Sequence, residues 1–502
     1  MTPSEPAAAH EPAPRVHAAG HLHPGMLFVR FADGLRQSIL PILVSVVAQE
    51  VWLAVAAGVF FVLGLVHAVA RYLTFQYRLT DEELVTTEGI LHRQERRIPI
   101  DRIQDLSFES TLLRRVLQLV VVQVETASGQ GAEARLDSLS RGDAARLREV
   151  LFRLRGRSGM EGASGEAVPA PRVLFRSTGG ELALLGFTNN RVGASLLMVL
   201  GVFELAEQLG LQDAFQGVLG GVVDRLSAFG TTWTVLFFVA VLFLVMLAGW
   251  LVAIAASLVM FHRFELSERD DVLYRRFGLI TTRAQSLPRR KIQRITLEAA
   301  PLRRLFGTAV VRADSAGAGA QEAQRGSNQV ERDILVPLTS AGRARALVAW
   351  VLPGLDPAHL AWRRVSPKVV VRVGLKGLIL GLLGLGAGLP TIGWPAWLAL
   401  GAPVLAVAMG VLLFANLAYA RSPGHLAFRH GLLGQYLAFV PVRKVQGAVL
   451  RAGPIERLFG LAHVTVFVAG GSPTTLGNLP RGEAEALVRD VAVEAAAARF
   501  VW

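Results

Sequence analysis

The sequence predicts an α+β membrane protein in which three apolar helix hairpins alternate with three copies of a small antiparallel β-sandwich or barrel, each closed by a C-terminal helix. Three observations predict it. Hydrophobic residues make up 52% of the 502-residue chain, too many for an ordinary soluble protein of this length. They gather in three blocks, each long enough to cross a bilayer twice at about 20 residues per crossing. One motif then recurs in each of the three polar segments that follow the blocks.

The first block runs from about Leu35 to Leu73 and is broken at Gln49-Glu50. The second comprises VGASLLMVLGVFELAEQLG and TTWTVLFFVAVLFLVMLAGWLVAIAASLVMF, separated by a segment holding Asp213 and Asp224. The third comprises VVVRVGLKGLILGLLGLGAGLP and WPAWLALGAPVLAVAMGVLLFANLAYA. Six transmembrane helices in three hairpins are expected. Residues 76–190, 262–368 and 421–502 hold 44 of the 52 Lys and Arg, whereas Arg225 is the one cation between the helices of a pair. Because Lys and Arg are retained on the cytoplasmic side of short loops, the N-terminus and all three polar segments are expected in the cytoplasm. Residues 1–25 lack the apolar stretch of a signal peptide and read as a disordered tail.

Within the blocks, Gly377 with Gly381 and Gly384 with Gly388 place small residues where helices approach closely. Glu204 and Glu207 read as interfacial carboxylates near a span end. Arg372 and Lys376 read as long cations reaching from the fifth helix to the headgroups.

The repeated motif is P-x-x-[RK]-[IV]-Q. It places Pro99, Arg102 and Gln104 in the first unit, Pro288, Lys291 and Gln293 in the second, and Pro441, Lys444 and Gln446 in the third. Eleven residues after each Gln, without a gap, stands Arg115, Arg304 or Arg457. The runs LVVVQVETA, AVVRADSA and HVTVFVAG follow, and their period of two reads as half-buried strands. A helix closes each unit, with Ser140 three residues before Asp143 in a capping arrangement. Upstream strands meet at turns with Gly89 and Gly278 in corresponding places; the third unit, read from His425, is expected to lack part of this hairpin. The recurring residues are expected to define a strand-turn geometry, with Gln293 and Arg304 bonded within the unit or to a neighbouring unit. Arg289, Arg290, Arg294 and Arg303 are special to the second copy. That copy carries 19 cations against 10 acids, the first 16 against 16, so these four mark the candidate contact for anionic lipid or a partner protein. Residues 157–189 read as a linker, and the Gly/Ala/Gln-rich stretch near 315–332 as an extended loop.

Several function classes are excluded. With no cysteine there is no disulfide framework, thiolate metal site or Cys nucleophile. His17, His21 and His23 have no carboxylate beside them, so no metal is expected. No phosphate-binding loop, zinc-protease motif or nucleophile elbow is present, so neither catalytic residues nor cofactors are expected. The net charge of +13 is that of membrane loops. Nucleic acid is not an expected partner, since the basic segments lack interleaved aromatics.

The order of apolar hairpin and then RYLTFQYRLTDEELVTTEGILHRQERRIPIDRIQDLSFESTLLRRVLQL, repeated three times, resembles the YdbT/YdbS-type bacterial membrane proteins with pleckstrin-homology-like (PH-like) domains. The resemblance runs from about Leu35 to the C-terminus and is most specific in IPIDRIQ with LLRRVL. It implies three PH-like domains, each a bent antiparallel sheet with a C-terminal helix, at 76–156, 262–354 and 421–502. They would be carried on hairpins at 30–75, 190–261 and 355–420, as in the three-repeat YdbT-like branch. It also implies a bacterial inner-membrane location. The third unit departs from the pattern, since Glu456 replaces the first arginine of the pair. A non-enzymatic scaffold or binding protein is expected, with membrane lipids and either a YdbS-like single-domain partner or further copies of itself. The alternative is a transporter or lipid-handling protein built on the six helices.

Overall fold

In the computed structural model, residues 16–48, 51–89, 93–126, 132–157, 171–189, 201, 204, 212–315, 333–469 and 472–497 are described. Three units of one design follow one another. Each opens with a three-stranded antiparallel meander: β2 (Gln76–Thr80), β3 (Glu83–Glu88) and β4 (Gln94–Pro99) in the first; β9 (Glu265–Arg269), β10 (Val272–Phe277) and β11 (Thr281–Pro288) in the second; β16 (Ala418–Ser422), β17 (His425–His430) and β18 (Gln435–Pro441) in the third. The recurring proline ends the last of these strands and leads into a three-residue 3-10 turn, Ile100–Arg102, Arg289–Lys291 or Val442–Lys444. Proline suits the place because its φ of −57°, −59° or −65° is the one its ring imposes.

A second meander follows: β5 (Ile103–Thr111), β6 (Leu119–Thr126) and β7 (Ala132–Ser140); then β12 (Ile292–Ala299), β13 (Thr308–Ser315) and β14 (Ile334–Ser340); then β19 (Val445–Arg451), β20 (Leu461–Val468) and β21 (Thr474–Pro480). Between its first two strands each carries a five-residue helix, α3 (Leu112–Val116), α8 (Pro301–Leu305) or α12 (Pro454–Leu458), holding the arginine of the repeat or its predecessor. The closing helices are α4 (Arg141–Arg157), α9 (Ala341–Val351) and α13 (Arg481–Ala497). Each buries one apolar stripe: Ala144, Leu147 and Leu151 in α4, Ala344 and Val348 in α9, Ala484, Leu487 and Val491 in α13.

Each short helix ends in a left-handed residue whose carbonyl accepts from the first residue of the closing helix: Gln118 from Arg141, Gly307 from Ala341, Gly460 from Arg481. Units two and three use glycine at φ 62° and 66°, whereas unit one holds Gln118 at φ 56°, where a Cβ is strained. Gln118→Gly is expected to stabilise the first unit by about 1 kcal/mol, read as a higher first transition in thermal unfolding.

Three sequence readings are corrected. Val16–His21, read with the disordered tail, forms β1 and pairs with β2. Part of the 157–189 linker is ordered: β8 (Arg172–Arg176) pairs with β9, and α5 (Gly179–Thr188) starts with a Thr178–Glu181 capping box and buries Leu182 and Leu185 in the second unit's core. The third unit keeps its whole first meander, because Ala418–Tyr419–Ala420, the apolar end of the stretch that reads as membrane, is the start of β16. The remaining linker residues 158–170 and the loop at 316–332 lie outside the described residues.

Helices α1 (Gly25–Ala48) and α2 (Val51–Thr74) lie side by side before the first unit, and α6 (Gln212–Ser227) and α7 (Thr231–Met260) precede the second. Before the third run α10 (Lys368–Ile392), the 3-10 segment Trp394–Leu400 and α11 (Gly401–Asn416). Among the described residues, four helical stretches are long and apolar enough to cross a membrane: Val51–Thr74, Thr231–Met260, Lys368–Thr391 and Trp394–Asn416. Their large apolar side chains, such as Phe60, Phe243 and Leu405, are exposed, as lipid contact requires. Helix α1 is not in that set, and its first half carries Arg30, Asp33 and Arg36. The span expected near 192–210 lies outside the described residues apart from 201 and 204; Glu204 is exposed there. Gly377 faces α11, where an added Cβ would stand 2.2 Å from the Ala406 side chain, and Gly381 faces the 3-10 segment, where one would stand 2.8 Å from the Ala399 carbonyl oxygen.

Candidate functional site

The second meander of each unit opens on the strand that meets the next unit. Strand β5 pairs antiparallel with β11, so unit one's second sheet runs into unit two's first as seven strands, β7-β6-β5-β11-β10-β9-β8. Strand β12 pairs with β18 in the same way, giving β14-β13-β12-β18-β17-β16-β15, where β15 is Arg363–Arg364. With the units aligned on Pro99, Pro288 and Pro441, the two junctions have one register. Phe108↔Ala284 corresponds to Leu297↔Leu437, Glu109↔Arg283 to Glu298↔Tyr436, and Ser110↔Thr282 to Ala299↔Gln435. The apolar core also continues through the second junction, where Ala420, Ala427 and Phe439 of unit three join the core of unit two.

The repeated arginine bridges these junctions. Arg115 donates to Thr282 Oγ1 of the second unit. Arg304 donates from Nη1 to Asn416 Oδ1 at 3.1 Å and to the Leu433 carbonyl at 3.5 Å, both beyond the second unit. Arg457 of the third unit turns back instead to its own Ala452 carbonyl at 3.1 Å. At the first junction Arg283 lies 3.6 Å from Glu109, and the Arg148 guanidinium sits 5.7 Å from the Phe108 ring and 5.8 Å from that of Tyr274. A groove of about 1140 Å³ opens beside it, between α4 and the outer face of β10.

A second set of contacts locks units to helices. Asp137 on β7, 1% exposed, accepts from Arg30 Nη2 of α1 at 3.0 Å, from Arg71 Nη1 of α2 at 2.9 Å and from Arg135 Nε at 2.9 Å. Burial pushes the Asp137 carboxyl up, but the guanidinium groups of Arg135, Arg71 and Arg30 outweigh it and hold the group below the ordinary carboxylate range. In unit three Glu456 stands where the others have Arg114 and Arg303, and Arg372 of α10 is bonded to it, with Lys376 Nζ at 3.9 Å and His463 at 3.7 Å. The helix therefore supplies the cations and the unit the acid. This corrects the reading of Arg372 as a headgroup cation: its side chain is 10% exposed.

Of the four arginines singled out in the second copy, three are spent inside the protein, and Arg303 is not special to that copy, since Arg114 holds its place in the first unit. Arg289 donates to the Val351 and Trp350 carbonyls at 2.8 and 2.6 Å, pairs with Asp271 at 3.0 Å, and lies 4.8 Å from the Trp350 ring, so it caps α9. Arg294 pairs with Asp314 and reaches the Ser472 carbonyl of unit three at 2.6 Å. Arg303 is 7% exposed and donates to Thr188 Oγ1 of α5 at 3.2 Å. Arg290 alone of the four is exposed. Among the recurring residues, Gln293 is buried and donates to the Lys291 carbonyl at 3.2 Å, Lys444 is buried, and Arg102 and Gln446 are exposed. The Gln104 side chain lies outside the described residues.

Asp333, beside Asp314 at the start of β14, is pushed up to about 6 by burial and by that neighbouring carboxylate. A raised folded-state value means the unfolded chain loses its proton first, so stability falls as pH rises from about 4 to 6. Asp333→Asn is expected to raise the unfolding temperature at pH 7.5, with the gain vanishing toward pH 4.

A row of sandwich units, fused edge to edge and clamped to long apolar helices, defines an α+β membrane protein with PH-like domains. The chain belongs to the Bacterial PH domain family, whose model matches residues 38–155, 217–354 and 372–495. It is similar to the UPF0699 transmembrane protein YdbT of Bacillus subtilis (strain 168), 27% identical over 284 residues. That match covers 55% of this chain and 56% of YdbT, so the chain spans just over half the length of that curated relative.

Proposed function

We propose that the chain is a non-enzymatic scaffold of the bacterial inner membrane, crossing it six times in three hairpins and holding its N-terminus and three PH-like units in the cytoplasm. The observation that carries this reading is the pair of register-matched junctions, which with the Asp137 and Glu456 locks makes the units one continuous array. An array of that kind presents fixed strand edges and grooves to a macromolecular partner. Internal use of Arg289, Arg294 and Arg303 leaves Arg290 as the contact of the four for an anionic surface, which favours a protein partner over lipid.

Single cysteines can be placed on the cysteine-free chain and labelled with an impermeant maleimide in intact cells. Arg290→Cys is expected to react only after the inner membrane is opened, and Phe229→Cys, between α6 and α7, without opening it; the reverse pattern sinks the reading. Purification from native membranes in mild detergent is expected to bring down a stoichiometric protein. Recovery of the chain with anionic lipid alone would count for the lipid instead.

A further inference from the structure

The two junctions use each unit's second-meander opening strand as donor and the next unit's third strand as acceptor. Three units make two such junctions and leave one of each edge over. Among the described residues β4 of unit one and β19 of unit three have no strand beyond them: β4 ends the sheet β1-β2-β3-β4, and β19 ends β19-β20-β21. We propose that these two edges pair between copies of this chain, head to tail, as a third junction in the register of the other two.

Four observations support it. Gln94, Glu95, Arg96 and Arg97 on β4 are exposed, whereas the corresponding Tyr436 and Leu437 are half-buried and Ala438 and Phe439 buried on β18. Ala448 and Leu450 on β19 are half-buried, whereas their counterparts Ile295 and Leu297 on β12 are 0% and 4% exposed. Arg457 lacks the cross-junction partner that Arg115 and Arg304 have and folds back on its own unit. The internal register, carried over residue by residue, sets Val449 opposite Arg96, Leu450 opposite Glu95 and Arg451 opposite Gln94. The charges on β4 blunt it against non-specific pairing, while β11, whose Arg283 stands where β4 has Gln94, is paired at the first junction.

Both edges lie on one chain and are different surfaces, so the interface is heterologous. Copies in one membrane then form a closed ring or an open row, never a two-fold dimer. The occupant is thus a second copy, and strand addition supplies its main-chain bonds. This inference rests on the scaffold reading and names its partner.

The test uses full-length chains with two different tags, co-expressed and oxidised in native membranes. Directly opposed antiparallel residues alternate between close and wide pairs, so two neighbouring pairs are used: Val449→Cys with Arg96→Cys, and Leu450→Cys with Glu95→Cys. At least one pair is expected to give a disulfide product carrying both tags. Chains bearing both cysteines should give a ladder, and Val449→Cys with the out-of-register Gln94→Cys should give several-fold less product. Adding Arg457→Ala is expected to lower cross-linking several-fold while leaving thermal unfolding unchanged. No mixed product from either pair, or as much from single-cysteine chains alone, overturns the proposal. If that happens while the maleimide pattern holds and a different protein copurifies, the head-to-tail pairing falls and the scaffold reading stands.

Discussion

Asp137→Asn is expected to destabilise the first unit and its attachment to α1 and α2 by about 3–5 kcal/mol, the range for removing one partner of a buried ion pair. The size follows from what remains. Arg30, Arg71 and Arg135 all converge on this carboxylate, whose side chain is 2% exposed; the amide leaves three guanidinium groups crowded together without their counter-charge. The pH dependence has a definite sign. A carboxyl held low in the folded state contributes stability that is present above its unfolded value of about 3.9 and is lost as pH falls through the folded one. The gap between parent and variant should therefore be full at pH 7 and close below about pH 4. Thermal unfolding of the full chain in detergent, followed at its first transition across that range, measures it. An unchanged transition at pH 7 would mean the three arginines are solvated rather than locked.

Glu456→Arg should have an effect of similar size, although it restores the arginine that the other two units carry. The new cation would face Arg372 and Lys376, which in this unit come from α10. Breaking the buried Arg372–Glu456 pair costs about 3–5 kcal/mol, and like-charge repulsion adds to it. Arg372→Glu in the same chain reverses the pair and is expected to recover at least half of the loss. The coupling energy from the four-way cycle is the direct measure of the lock. No recovery in the double variant would show that Glu456 acts through packing alone.

Much of the fold was legible because repetition makes its own control. A proline, an aliphatic-Gln step and an arginine at fixed spacing stand out when three copies can be laid together, and the periodicity of LVVVQVETA or HVTVFVAG gives strands directly. Where apolar strand and apolar span share a composition, the sequence could not divide them. Ala418–Tyr419–Ala420 is buried by protein, not lipid, and only the paired strand β17 shows it. The candidate site was less legible for a different reason. Exposure cannot be read from charge, so Arg289, Arg294 and Arg303 looked like a free basic patch although each is consumed by a carbonyl, carboxylate or hydroxyl far away in sequence. Asp137 was missed altogether. Its signal, one acid between Leu136 and Leu139 on a strand, is weak without knowing that Arg30 and Arg71 arrive from both helices. The persistence of Arg115, Arg304 and Arg457 through otherwise variable cations was the one sequence feature pointing at the junctions.

The shared register of the junctions bears on how such a chain can change length. Because every unit offers the same donor strand and the same acceptor strand, tandem duplication or loss of a whole hairpin-plus-unit leaves the terminal edges as they were. A descendant with one unit or four would still end in a β4-like and a β19-like strand, and each new copy would dock without any compensating substitution elsewhere. Point changes face the opposite constraint. An alteration at Phe108 or Leu297 must suit a partner strand in another unit, so the seams, more than the cores, tie the sequences of the three copies to one another.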